Sequence, residues 1–223
     1  LAEGCRAFNT PVTGGNVSLY NENPSGPIDP TPTVGMVGMI ENEKHITTQS
    51  FKNDGDVVIL IGGDGSELGA SHYLKVVHGR KEGLPPRVDY QRELAMHDAL
   101  RALIRSGFVK SAHDCSEGGL AVTLAECCIS GSGLIGAAID FGNTGLRADQ
   151  LLFNESQSRV VISVQKANAA AVLALLEWRG VTARRIGTVG GKALEIRADG
   201  GYFTWDTGAL YNAWYFAIRN CMS

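Results

Sequence analysis

Glycine constrains this chain more than any other residue. It supplies 28 of 223 positions, about one in eight against a usual ~7%. The glycines gather between apolar runs and do not recur with a fixed period. That distribution excludes collagen-like and low-complexity chains. It calls for a fold with many tight turns or close backbone approaches.

The runs between the glycines alternate between strand and helix character. Asp56 to Ile61, "DVVILI", is a β-branched run suited to a buried strand, and it enters the glycine loop "GGDGSELGASHY", which leads to a helix. Asp89 to Ser106 is the clearest helix: Met96, Leu100, Leu103 and Ile104 share one face, and Gly107 ends it. "FVKSAHD", "LIGAAIDF" and "SRVVISV" read as strands. "CSEGGLAVTLAECCISG" and "KANAAAVLALLEWRG" read as helices, the first entered through a turn. "TARRIGTVG" and "ALEIRA" read as strands paired around Gly190-Gly191, and Asp206 to Met222 as a last amphipathic helix. The expected class is α+β, a mixed sheet with flanking helices in layers. Leu1 to Phe8 reads as a helix end. The four prolines of "NPSGPIDPTP" argue against regular structure at 23–32, and "TVGMVGMI" at 33–40 reads as a strand. A composition break near 50–55 divides a front piece, 1–54, from a compact domain, 55–223.

Composition narrows the function classes. Apolar residues make up 44% and the formal net charge is −3, with acidic and basic residues interspersed. No basic stripe argues for nucleic acid. No apolar run reaches the ~18 residues of a membrane span, and no signal peptide is visible. Cys5, Cys115, Cys127, Cys128 and Cys221 form no CxxC pair, which fits reduced thiols of a cytoplasmic protein.

Four segments could carry chemistry. In "TPVTGGNVSLYNE" (10–22), Gly14-Gly15 allow backbone N–H groups to approach an anion. Asn16 offers an amide oxygen to a hard cation, and Ser18 offers a hydroxyl to a phosphate or polar substrate. A hairpin turn with an Asx cap accounts for the same residues. In "HDCSEGGL" (113–120), Asp114 ends a strand, where it could ligate Mg2+. Gly118-Gly119 could let a phosphate approach a helix N-terminus; a capping segment with a solvated aspartate is the plain alternative. "GGDGSELGASHY" lacks the GxxxxGK[ST] pattern and reads equally as a turn. "FNESQSR" (153–159) collects Glu155, Ser156, Gln157 and Arg159 before a strand, either to bind a ribose phosphate or amide or as a solvated loop. No Ser/His/Asp set, zinc motif or glycosidase carboxylate pair is present.

Taken in order, "PVTGGNVSLYNE", "AHDCSEGGLAVTLAE" and "LLFNESQSR" resemble the C-terminal part of the small, bacterial-type synthetase subunit of phosphoribosylformylglycinamidine synthase. The resemblance covers nearly the whole chain. Aminoimidazole ribonucleotide synthetase, selenophosphate synthetase, thiamine-monophosphate kinase and the hydrogenase maturation factor share the superfamily fold but not "GNVSLYNE". The resemblance implies a carbon–nitrogen ligase of purine biosynthesis that uses ATP and Mg2+. The formamide oxygen of formylglycinamide ribonucleotide is activated as an iminophosphate, and ammonia displaces phosphate to give the amidine. It implies nucleotide contact at Gly15, Mg2+ binding at Asn16 and substrate contact at Ser18. By internal pseudo-symmetry it implies second-site roles for Asp114, Glu155, Ser156 and Gln157. Asn154 stands where the family usually has glycine.

The resemblance further implies that the family's catalytic histidine and ATP-binding lysine belong to a half preceding Leu1, so the 223 residues alone are expected to be inactive. It implies as partners that N-terminal half, a separate glutaminase subunit and a small accessory subunit. The rival expectations are a structural or auxiliary nucleotide-binding half-domain, and another ATP-dependent member of the superfamily.

Overall fold

A computed structural model describes residues 1–222. It divides into two compact units, Leu1–Glu43 and Lys44–Ser223.

The first unit holds one short helix, α1 (Ala2–Ala7), and a minimal antiparallel hairpin of β1 (Glu22–Asn23) and β2 (Gly26–Pro27). None of residues 1–43 is buried. The hairpin lies in the proline-rich segment that the sequence reading left without regular structure. Asn23 turns the chain there by accepting a hydrogen bond from the Ser25 N–H at 2.8 Å. The strand expected at 33–40 is absent. A strand needs a ladder partner, and this segment pairs with none among the described residues; Val37 is wholly exposed.

The second unit is a three-layer mixed α+β domain. Its elements are β3 (Val57–Ile61), α2 (His72–His78), α3 (Tyr90–Arg105), β4 (Val109–Asp114), α4 (Gly119–Ile129), β5 (Ala137–Asp140), α5 (Ala148–Phe153), β6 (Val160–Val164), α6 (Ala169–Trp178), β7 (Ala183–Val189), β8 (Ala193–Ala198), β9 (Gly201–Asp206), α7 (Thr207–Tyr215) and α8 (Ala217–Met222). The seven strands run in the order β4-β6-β3-β7-β5-β8-β9. All neighbours are antiparallel except β5 and β8.

The central strands are apolar on both faces because both faces are covered. Val57, Ile59 and Ile61 of β3 pack with Met96, Ala99 and Leu103 of α3 and Val172 and Leu176 of α6. Val58 and Leu60 face the opposite layer, with Leu120 and Leu124 of α4 and Leu151 of α5. The helix α3 starts where its sequence directs, since the Asp89 carboxylate accepts from the N–H groups of Gln91 and Arg92.

Two expectations are corrected and one strand is added. β7 and β8 are not paired: β5 lies between them, antiparallel to β7 and parallel to β8. Gly136 makes this possible, because its backbone lies so close to that of Ala193 that a Cβ there would sit 2.7 Å from the Ala193 nitrogen. The segment 201–206, given no element by the sequence except at Asp206, is a strand that pairs with β8. The final helix is two helices, α7 and α8, separated at Phe216.

Candidate functional site

The segment Asn154–Arg159 joins α5 to β6 and organises one cleft of the second unit. All of its side chains but that of Gln157 are buried or half-buried. Asn154 is fully buried, and its Nδ2 donates to the carbonyl oxygens of Gly65 at 2.9 Å, Gln150 at 2.5 Å and Leu151 at 3.2 Å. Arg159 is 3% exposed; its Nη2 donates to the Asn154 carbonyl at 2.6 Å and its Nε to the Ser156 carbonyl at 3.1 Å. The guanidinium therefore braces the turn from within. Burial, the largest influence, pulls its pKa below the usual arginine value.

Both glycine loops fit around this segment. A Cβ on Gly65 would sit 2.5 Å from the Ser156 Oγ, and one on Gly62, whose φ is +98°, would sit 3.0 Å from the Arg159 Cγ. Gly118 and Gly119 have φ of +77° and +64°, and a Cβ on Gly119 would lie 2.9 Å from the Phe153 carbonyl carbon. These glycines let the protein's own backbone approach. One Glu155 oxygen, Oε1, then accepts two backbone hydrogen bonds: from Gly118 at 2.8 Å and from His72 at 2.9 Å. Gly118 is the N-cap of α4, and it brings no side chain of its own to that end. His72 opens α2, which is also held by Tyr73 stacking on Phe153 with ring centroids 5.0 Å apart.

Asp114 ends β4 on the open side. Its carboxylate accepts a hydrogen bond from Ser116 Oγ and lies 3.5 Å from His113 Nδ1. The His113 contact, followed by that from Ser116, outweighs burial and holds the Asp114 pKa far below the carboxylate range. For His113, burial alone would favour the neutral ring. Hydrogen bonds to Asp114 and to Glu126, the latter at 2.7 Å, together outweigh it and raise its pKa. Asp114 is thus a fixed, exposed anion.

The expected second-site residues are drawn together but unequally. Asp114, Glu155 and Gln157 line one cleft of about 610 Å³, along with Ser116 and Arg159. Gln157 is exposed, while Glu155 and Ser156 are half-buried. Gly15, Asn16 and Ser18 belong to the first unit and are exposed; nothing lies within 4 Å of a Cβ built on Gly14 or Gly15.

Sequence reasoning missed the bracing roles of Asn154 and Arg159 and the junction at His72. Two of the decisive contacts are far apart in sequence, 89 residues between Asn154 and Gly65 and 83 between His72 and Glu155, while Arg159 bonds to its own turn and is distinguished by its burial. No local signal could have shown the Asn154–Gly65 and His72–Glu155 contacts.

The donor chemistry is compatible with a hard cation. In the second unit Asp114 offers carboxylate oxygens, and in the first unit, separately, Asn16 offers an exposed amide oxygen. Among the described residues, no group of three or more His, Cys, Asp or Glu could hold a metal by itself. Mg2+ accommodates such sparse protein ligation, because it keeps several waters and binds substrate phosphates. Among the described residues, no helix is long and apolar enough to cross a membrane.

Residues 53–199 match the family described as AIR synthase related protein, C-terminal domain. The chain belongs to this family. Within it, the chain is 43% identical over 222 residues to the phosphoribosylformylglycinamidine synthase subunit PurL of Anaeromyxobacter sp. (strain Fw109-5), covering 96% of this chain and 28% of that protein. The fold of the family is seen in T. maritima PurL complexed with FGAR, with a TM-score of 0.65 and 16% identity over 76% of this chain and 30% of that one. T. maritima PurL complexed with ATP gives a TM-score of 0.60 at 16% identity, over 76% of this chain and 28% of that one. The chain therefore spans under a third of the length of the PurL proteins that it matches.

Proposed function

We propose that this chain serves as the C-terminal portion of a phosphoribosylformylglycinamidine synthase. That enzyme is an ATP-dependent ligase converting formylglycinamide ribonucleotide and ammonia to the amidine, with release of ADP and phosphate. The observation that carries the reading is the 43% identity to a PurL subunit over almost all of this chain. The T. maritima PurL complexes with ATP and with FGAR support the substrate classes.

In this reading residues 1–54 belong to a sheet domain and 55–223 to the mixed domain. Gly15 approaches the nucleotide through its backbone, and Ser18 Oγ contacts the ribonucleotide. The Asn16 amide oxygen holds Mg2+, which when bound neutralises charge on the transferred phosphoryl group. Asp114 and Gln157 face a second, auxiliary site, with Glu155 and Ser156 behind them. The general base is contributed by other residues of the enzyme, which acts in the cytoplasm with a glutaminase subunit and a small accessory subunit.

A chimera tests the proposal. This chain replaces the matching C-terminal portion of the Anaeromyxobacter PurL, and amidine formation from ATP, ammonia and formylglycinamide ribonucleotide is measured. Turnover is expected in the chimera and none above a blank in the isolated chain. Asn16→Ala in the chimera lowers kcat with partial rescue by added Mg2+, whereas Ser18→Ala mainly raises KM for the ribonucleotide. A folded chimera without turnover refutes the proposal. Two variants with one common defect refute the separate roles.

A second reading has its own support. The glycine loops of the second unit are occupied by the segment 154–159, as a structural half-domain requires. Full turnover in a chimera carrying Asn16→Ala would favour it.

A further inference from the structure

We infer that the Glu155 carboxylate is the resident anion of the α4 N-terminus, and that a phosphate group occupies this end of the cleft only by displacing it. This deepens the auxiliary-site reading, but it rests on geometry that does not depend on the ligase assignment.

The end of a helix attracts an anion through its N–H groups and its dipole. At α4, an eleven-residue helix, the N-cap is glycine and supplies no capping oxygen. Glu155, 37 residues away, instead binds the N–H of the N-cap residue itself, accepting from Gly118 at 2.8 Å while the same oxygen accepts from the His72 N–H at 2.9 Å. Charge-assisted bonds to two backbone donors on separate helices are strong ones. The surroundings favour an anion independently of the helix. Arg159 lines the same cleft, is 3% exposed, and keeps its Nη1 without a hydrogen-bond partner. A phosphate at the Gly118 N–H would meet a like charge at hydrogen-bond distance, so the two anions exclude each other. Gly119, with its positive φ, serves the close approach of the Asn154 carbonyl, and the Gly118 amide beside it is taken by Glu155 from within.

The test uses the full chain and inorganic phosphate, read by the amide resonances of Gly118 and His72. In the wild-type protein, phosphate is expected to leave both resonances in place. In Glu155→Ala, phosphate is expected to shift both, binding at least about tenfold more tightly than to wild type, and to raise the melting temperature. Glu155→Gln keeps the shape and a weaker acceptor. Without phosphate, both amide protons should move upfield together, a readout available even if the alanine variant fails to fold. The inference is overturned if phosphate shifts both resonances in the wild type as readily as in Glu155→Ala. It is also overturned if folded Glu155→Ala takes up no phosphate, or if Glu155→Gln leaves either amide unmoved. Any of these results leaves the ligase proposal to the chimera.

Discussion

The glycines of the two units do opposite work. In the second unit, Gly62, Gly65 and Gly119 are hemmed in by the segment 154–159, and any side chain there would collide with backbone or with a bracing side chain. In the first unit, Gly14 and Gly15 meet nothing within 4 Å, and neither has a positive φ. The same residue in similar motifs thus answers packing in one place and no packing demand of this chain in the other. Glycine loops that read alike in sequence are told apart only by what fills them.

The sharpest way to break this contrast is Gly119→Ala. Its Cβ would collide with the 152–154 backbone in a left-handed conformation. We expect a loss of at least about 2–4 kcal/mol in urea unfolding. A loss below about 1 kcal/mol would show that the junction gives way easily.

Asn154→Ala comes next. It strips three carbonyl oxygens of their shared donor inside the protein. The expected loss is about 1–3 kcal/mol, accompanied by faster proteolysis at 62–71, the loop that Asn154 ties down. Protection of that loop in the variant would mean that the glycine contacts alone secure it.

Asp199 offers a smaller, pH-dependent effect. It accepts from the N–H groups of Thr144 at 2.8 Å and Gly145 at 2.9 Å and from the Thr144 hydroxyl at 2.5 Å. The Thr144 hydroxyl, opposed by burial and aided by the two amides, lowers its pKa in the folded state. The folded protein therefore binds this proton less readily than the unfolded chain. Its contribution is present above the ordinary carboxylate pKa of about 4 and disappears as pH falls through the lower folded value. Asp199→Asn should lower the melting temperature slightly at pH 7 and flatten its decline on acidification. Parallel melting curves from neutral to acid pH would exclude the effect.

The smallest change is expected from Gly15→Ala, within about 0.5 kcal/mol of wild type in the isolated chain. In the chimera the same variant should weaken nucleotide binding if backbone approach at Gly15 is real. A destabilised isolated chain would erase the difference between the two units.

Much of the second unit was legible in the residues. The β-branched run ending at Ile61 read as a buried strand, and Asp89 with Gly107 bounded α3 to within a residue. Local periodicity and capping suffice for such elements, because their partners are close in sequence. The "HDCSEGGL" and "FNESQSR" motifs were legible as a pair of interest. Their geometry was not, since Glu155 reaches Gly118 and His72 across 37 and 83 residues.

By itself, then, the sequence determined most element types of the second unit, the alternation that makes a layered α+β domain, and membership of the AIR synthase-related family. Only the tertiary structure decided that β5 enters between β7 and β8, and that Arg159 lies inside the turn it braces. It also decided that the glycine loops close on the protein's own backbone. Strand order and burial of a charge depend on which distant segments meet, and no local pattern of side chains encodes that encounter.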